Sequence, residues 1–137
     1  MKLLGFNFTK IYGEKLSSNL SNLKISSKMD IKDINEPKQN FLKTKEEILS
    51  ISFSFEINYE EGIGKIILEG TLLLALDQKM FREVKKQWKD KQTPEEFRIL
   101  LFNVVIRKSS VKALELEEEL NLPFHMQFPI LKKQEKN

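Results

Sequence analysis

The chain has 137 residues, of which 40% are hydrophobic and 31% charged, with a formal net charge of +3. This length is typical of one domain, so we expect a single domain over residues 1–137. The absence of cysteine excludes disulfides, thiolate metal sites and cysteine nucleophiles. We expect a cytoplasmic protein, because no apolar run has the length of a membrane span and the first residues lack the apolar stretch of a signal peptide.

The first half of the chain alternates apolar and polar residues, a pattern typical of half-buried strands. The run ILSISFSFEINY at 48–59 shows the alternation most clearly. Gly62 and Gly64 provide a short hairpin loop between the last two of these segments. Because each segment has one apolar face, we predict an antiparallel sheet with one face against a core. The predicted strands are 3–12, 21–34, 47–60 and 64–76.

The second half of the chain changes to helical spacing. Asp77 is a candidate N-cap for a first helix, and the sequence Thr93-Pro94-Glu95-Glu96 predicts a capping box at the start of a second. The run FRILLFNVVI at 97–106 is apolar almost all round. We therefore expect this helix to be buried on more than one side, either within the domain or between subunits.

The order β-β-β-β-α-α predicts an α+β domain in which two helices pack on one face of a four-stranded antiparallel sheet. We assign the sheet to residues 1–76, the helices to 78–121 and an extended C-terminal tail to 122–137.

Residues that could perform chemistry are few. His125 is the single histidine and has no sequence-local partner of the Glu-x-x-His kind. Ser109 and Lys112 have a Ser-x-x-Lys spacing, but its companion motifs are missing. The glutamates of 115–119 occupy adjacent helix positions and splay around the axis. We predict no metal site, no cofactor and no enzymatic activity, because nothing supplies a nucleophile, a base and an orienting group together.

Three stretches resemble the bacterial export chaperone SecB. FNFTKIY at 6–12 resembles its first strand, while FRILLFNVVI at 97–106 and LNLPFHMQFPIL at 120–131 are similar to its buried long helix and the proline-containing apolar stretch after it. The order of four antiparallel strands and two helices agrees as well. SecB proteins are acidic, whereas this chain is basic, so the resemblance is to the SecB superfamily with this chain as a divergent member.

The resemblance implies an ATP-independent, chaperone-like protein that binds unfolded or extended polypeptides through exposed apolar grooves. It also implies a homo-oligomer, a dimer or a tetramer, that pairs through helices. We expect the groove to be lined by Phe6, Phe8, Ile11, Tyr12, Phe124 and Phe128. We expect the subunit interface at Phe97, Leu100, Leu101, Val104 and Val105.

Two other functions fit the sequence. The first is a non-catalytic adaptor or structural subunit that docks a folded protein through helix 94–120. The second is a nucleic-acid binder that uses the lysine clusters at 85–91 and 131–136 with Trp88 as a stacking aromatic. The scarcity of arginine disfavours the second, because phosphate and base recognition favour the planar guanidinium.

Overall fold

The computed structural model describes residues 1–19, 23–37, 46–60 and 62–134. Four strands precede two helices, and every pairing in the sheet is antiparallel. The predicted class, α+β with a four-stranded antiparallel sheet followed by two helices, is confirmed. The elements are β1 (Lys2–Lys15), β2 (Ile25–Asn35), β3 (Glu47–Tyr59), β4 (Gly64–Leu76), α1 (Gln78–Trp88) and α2 (Glu95–Leu120).

The strand order in the sheet is β1-β4-β3-β2. The predicted hairpin β3–β4 forms the centre of the sheet. Both β1 and β2 are therefore edge strands, each with one side left unpaired in the described sheet. Residues 21 and 22, which the sequence assigned to the start of the second strand, lie outside the described residues.

The core lies between the sheet and the helices. The side chains of β3 and β4 that face the helices supply most of it, including Phe53 at 1% exposure and Leu68 and Leu74 at zero. Val84 on α1 and Phe97 on α2 reach the same cluster from the helical layer. The helices thus cover the sheet face on which the apolar side chains of the two central strands lie.

Gly70 on β4 allows the core to close around an aromatic ring. A Cβ atom at this position would lie 2.4 Å from the Asn7 carbonyl oxygen and 2.9 Å from the Phe53 ring. The missing side chain lets Phe53 pack against Phe6 and Phe8, with ring centroids 5.2 and 6.4 Å apart.

We expect the variant Gly70→Ala to lose about 1–3 kcal/mol of unfolding free energy, the usual cost of overpacking a filled core. Urea denaturation measures the loss. Gly5→Ala is the matched control, because a Cβ at Gly5 on β1 has no heavy atom within 4 Å. Equal stability of the two variants would contradict this account of Gly70.

The two helices begin differently. Asp77 caps α1 as predicted, because its carboxylate accepts the Met80 N–H at 2.8 Å. The predicted capping box of α2 is wrong. Pro94 occupies the cap position with extended dihedral angles, and no side chain bonds to the first turn. The extended Pro94 moves Thr93 one residue too far from the helix to serve as the cap.

Helix α2 buries a single stripe with a spacing of four residues. The stripe comprises Phe97, Leu101, Val105, Ser109, Ala113 and Glu117.

The remaining apolar residues of α2 are not enclosed. Ile99 and Ile106 are 53% and 45% exposed, so the expectation of burial on several sides within the domain is wrong. Phe97, Leu101 and Val105, three of the five predicted interface residues, are fully buried against the sheet. The other two, Leu100 and Val104, are half-buried.

Among the described residues, no helix combines the length and apolar character needed to cross a bilayer.

Candidate binding groove

Three adjoining pockets form a row along edge strand β2. The first, of about 410 Å³, lies between β2, α2 and the residues that follow α2. The second, of about 320 Å³, shares Met29 and Phe102 with the first. The third, of about 410 Å³, shares Trp88 and Lys91 with the second. Neighbouring pockets share lining residues, and we call the row that they form along β2 the β2 groove.

The apolar floor of the groove follows from the alternation in β2. Met29 and Ile31 point towards the helices but remain half-buried, because β2 is the last strand of the sheet. Phe55 on β3 and Phe102 on α2 extend this floor. Residues 27–36 span about 30 Å at the usual rise of a strand. An extended segment of nine or ten residues therefore matches the length of the groove.

The rim of the groove is charged, with an excess of cations. Lys32 bonds to Glu69 at 2.9 Å, which raises the pKa of Lys32 and lowers the pKa of Glu69 through the hydrogen bond itself. Lys28 lies 3.4 Å from Asp30. The cations in the lining are Lys28, Lys32, Lys85, Lys89, Lys91 and Arg98, and the anions are Asp30, Asp33 and Glu36.

Trp88 is part of a wall of the groove. It packs partly buried against the core, and the Lys91 ammonium lies 4.5 Å from its ring centroid. Lys85 pairs with Glu36. The aromatic surface and one cation of the proposed nucleic-acid patch thus already have partners within the chain.

A buried carboxylate lies behind one end of the groove. Glu117 is fully buried on the inward stripe of α2. It accepts hydrogen bonds from the Tyr59 hydroxyl, from the backbone N–H of His125 at 2.9 Å and from His125 Nδ1 at 2.8 Å. The Tyr59 hydroxyl also lies 3.1 Å from the Pro123 carbonyl oxygen. These donors compensate the desolvation of the carboxylate and fasten the start of the tail to α2 and β3.

His125 continues this network into the groove. Its ring lies edge-on to Phe55, with centroids 6.2 Å apart, and its Nε2 is 3.3 Å from Ser110 Oγ. Because Nδ1 donates to Glu117, Nε2 of the neutral ring is an acceptor and the Ser110 hydroxyl donates to it. Both Ser110 and His125 line the first pocket.

The sequence did not reveal this cluster of Ser110, His125 and Glu117. The chain reverses after α2 at Asn121, whose φ of 53° is left-handed, and so returns His125 to the helix. One signal was available. Glu117 lies in phase with the buried stripe of α2, and a carboxylate on an inward stripe needs donors.

Tyr59 makes stability sensitive to alkaline pH. Burial raises the pKa of its phenol, and the bond to Glu117 raises it further. The contribution of Tyr59 to the unfolding free energy is therefore complete below the pKa of an unfolded tyrosine, about 10. It is lost as the pH rises above that value, because the phenol then ionises readily only in the unfolded chain.

We expect Tyr59→Phe to flatten the decline in unfolding free energy between about pH 9 and pH 11. Urea denaturation over this range gives the slope. Tyr12→Phe is the control, because Tyr12 is exposed and its pKa is raised mainly by a surface bond to Glu14. If both variants keep the wild-type slope, Tyr59 is not the source of the decline.

The six residues predicted to line a groove do not form one surface. Phe6 and Phe8 lie on the helix-facing side of β1 and pack half-buried on Phe53. Ile11 pairs with the buried Leu68 and shares this face, but it is 49% exposed. Tyr12 pairs with Ile67, so it lies on the opposite face of the sheet.

Phe124 and Phe128 form the third group. Their ring centroids are 5.0 Å apart in the tail, where both are about half exposed. They border a fourth pocket, which shares Met126 with the first pocket of the β2 groove. The tail aromatics therefore adjoin the groove, whereas the predicted β1 residues lie elsewhere. Their role in binding stays a prediction.

No group of three or more metal-ligating side chains occurs within the described ranges.

The fold is of the SecB-like class, with a four-stranded antiparallel sheet followed by two helices. A similar solved structure is a SecB-like chaperone from Mycobacterium tuberculosis in complex with a peptide from an antitoxin. It has a TM-score of 0.50 and 11% sequence identity, and the match covers 98% of this chain and 92% of that chain. No family model and no curated protein matches the sequence.

Proposed function

We propose that this protein is an ATP-independent, chaperone-like protein that binds extended segments of unfolded polypeptides in the β2 groove. The observation that carries the proposal is the row of adjoining pockets, with apolar side chains in its floor, along the edge strand β2. The row follows β2 from Ser27 to Glu36, which suits an extended chain without structure of its own. The SecB-like fold supports the same proposal, since the similar chaperone was solved with a peptide.

Binding has two physical sources. Apolar client side chains that leave water for Met29, Phe55 and Phe102 gain about 1.5–3 kcal/mol for each fully buried large residue. The N–H and C=O groups on the side of β2 that has no partner strand in the described sheet can add main-chain hydrogen bonds, as in β-strand addition. Occupancy of the groove lowers the free concentration of aggregation-prone chain by mass action, without a covalent step.

The rim adds a preference among clients. Its excess of lysine and arginine favours segments in which acidic residues flank the apolar ones. This part of the attraction weakens as salt increases, while the apolar part does not.

The test is delayed aggregation of an unfolded client. We expect the purified protein, at a molar excess and without nucleotide, to slow the light-scattering increase of a chemically denatured test protein after dilution. Bovine albumin at equal mass is the control for crowding. Unchanged aggregation of several unrelated clients would refute the proposal.

A second candidate function is an adaptor that docks one folded partner through α2. The exposed Ile99 favours it, because it lies on α2 outside the lining of the groove. The same residue can join two copies of the chain into the homo-oligomer. Ile99→Ser would weaken an adaptor complex or lower the oligomeric state in gel filtration, yet would leave the groove residues Met29, Phe55 and Ile106 intact.

A further inference from the structure

Three polar side chains at the end of the groove have the arrangement of an activated serine. Ser110 Oγ lies 3.3 Å from His125 Nε2, and His125 Nδ1 lies 2.8 Å from Glu117 Oε1. Glu117 has no solvent exposure and the His125 side chain has 8%. The Tyr59 hydroxyl and the His125 backbone N–H fix the carboxylate in place. The carboxylate therefore holds the imidazole in the tautomer that accepts a proton from serine.

The serine faces a space that can hold a substrate. Ser110 and His125 share the first pocket, of about 410 Å³, with Met29, Phe102 and Ile106. These side chains suit a short apolar acyl group. Lys28 also borders this pocket, but its ammonium pairs with Asp30 at 3.4 Å. The N–H groups around Ser110 are engaged within α2, so rate enhancement comes from the base, without a backbone oxyanion hole.

We propose that Ser110 is a nucleophile, activated by His125 and Glu117, that accepts an acyl group from small apolar esters entering the groove. Ser110 Oγ bonds to the ester carbonyl carbon as its proton passes to His125 Nε2. The bond from that carbon to the alcohol oxygen then breaks, and the alcohol departs with the proton from His125. The products are acyl-Ser110, the free alcohol and a neutral imidazole. Glu117 is a positioning residue, because it acts through His125.

A fluorophosphonate probe tests the proposal on the full chain. The probe forms a bond between Ser110 Oγ and phosphorus, while fluoride leaves and the serine proton passes to His125. We expect one adduct per chain, located at Ser110 by peptide mass spectrometry. We expect p-nitrophenyl butyrate to acylate the same residue and release nitrophenol. Absence of a Ser110 adduct from the folded wild-type protein overturns the proposal, whatever the variants do.

Variants distinguish a Ser110 that His125 activates from a Ser110 that is merely exposed to the probe. Ser110→Ala should lose the adduct, and His125→Gln should slow labelling by about 10²–10⁴, the usual contribution of a general base. Ser109→Ala is the matched control, since Ser109 is fully buried and its hydroxyl has no partner among the described residues. It should label at the wild-type rate.

Chemical rescue distinguishes a role of His125 as general base from a purely structural role. Free imidazole should restore labelling of His125→Ala, because it can occupy the vacated space beside Ser110 and take the proton. Circular dichroism establishes that each variant is folded. Equal labelling rates of wild type and the folded His125→Gln variant would overturn activation. The result is independent of chaperone activity, since labelling requires no polypeptide client.

Discussion

Replacing Met29 by glutamate is expected to weaken the binding of an unfolded polypeptide about 10- to 100-fold, which corresponds to about 1.4–2.8 kcal/mol. Met29 borders two of the three pockets of the β2 groove and is half-buried in its floor. A carboxylate there stays hydrated in the empty groove but loses water without a partner when an apolar client segment covers it. Fluorescence anisotropy of a labelled, aromatic-rich peptide of about ten residues measures the change in Kd, since such a segment spans the groove.

The control for this prediction is Val111→Glu. Val111 is 67% exposed on α2 and is not among the residues that line the groove, so the same charge is added without entering the binding path. Met29→Ser serves as a milder second variant in case the glutamate perturbs the fold. If Met29→Glu and Val111→Glu bind the peptide equally, the client does not use the β2 groove.

Replacing Glu117 by alanine is expected to reduce the unfolding free energy by about 3–5 kcal/mol, the usual cost of removing one partner from a buried charged cluster. The change leaves the Tyr59 hydroxyl, the backbone N–H of His125 and the His125 ring without their common acceptor. Urea denaturation gives the loss. Limited proteolysis should also show earlier cleavage in residues 124–131, because the tail loses its anchor.

Glu118→Ala is the matched control. Glu118 follows directly in α2 but is exposed, so its loss should cost about 0.5 kcal/mol or less. A similar effect of both substitutions would mean that helix propensity or net charge, and not the buried cluster, determines the stability of this region.

The strands were predictable because the alternation of apolar and polar residues that marks them involves only neighbouring residues. Alternation located β4 to the residue and β3 to within one residue of its end. β1 continues three residues past its predicted end, because Gly13 and the two residues that follow keep pairing with β4. This glycine lies against α2, since a Cβ on it would be 2.9 Å from the end of the Leu120 side chain. Nothing near Gly13 in the sequence reveals the neighbouring helix.

The groove was not predictable because it depends on strand order. Alternation tells which side chains of β2 share a face, but it does not tell that β2 ends the sheet. The prediction selected aromatic residues instead, and Phe6 and Phe8 proved to pack on Phe53. Identity of the side chain was thus a weaker guide to exposure than position in the sheet.

The cluster around Glu117 depends on a chain reversal. Leu122 N–H bonds to the Glu117 carbonyl oxygen at 2.9 Å, which closes α2 and turns the tail back along it. Only this turn brings His125 beside a glutamate eight residues earlier and a serine fifteen residues earlier. The inward phase of Glu117 could have been predicted, but its partners could not.

The free edge of β2 also bears on the protein's own solubility. Lys28, Asp30, Lys32 and Asp33 lie along this strand, and a register shift occurs between Ile31 and Asp33. The alternating charges and the register shift both oppose pairing of β2 with the β2 strand of another copy. Two such strands would pair out of register, and their charged side chains would lose water. A foreign, flexible segment escapes this penalty because it can adjust its own pairing. The same strand edge can thus pair with a client segment and still disfavour fibril formation by copies of this protein.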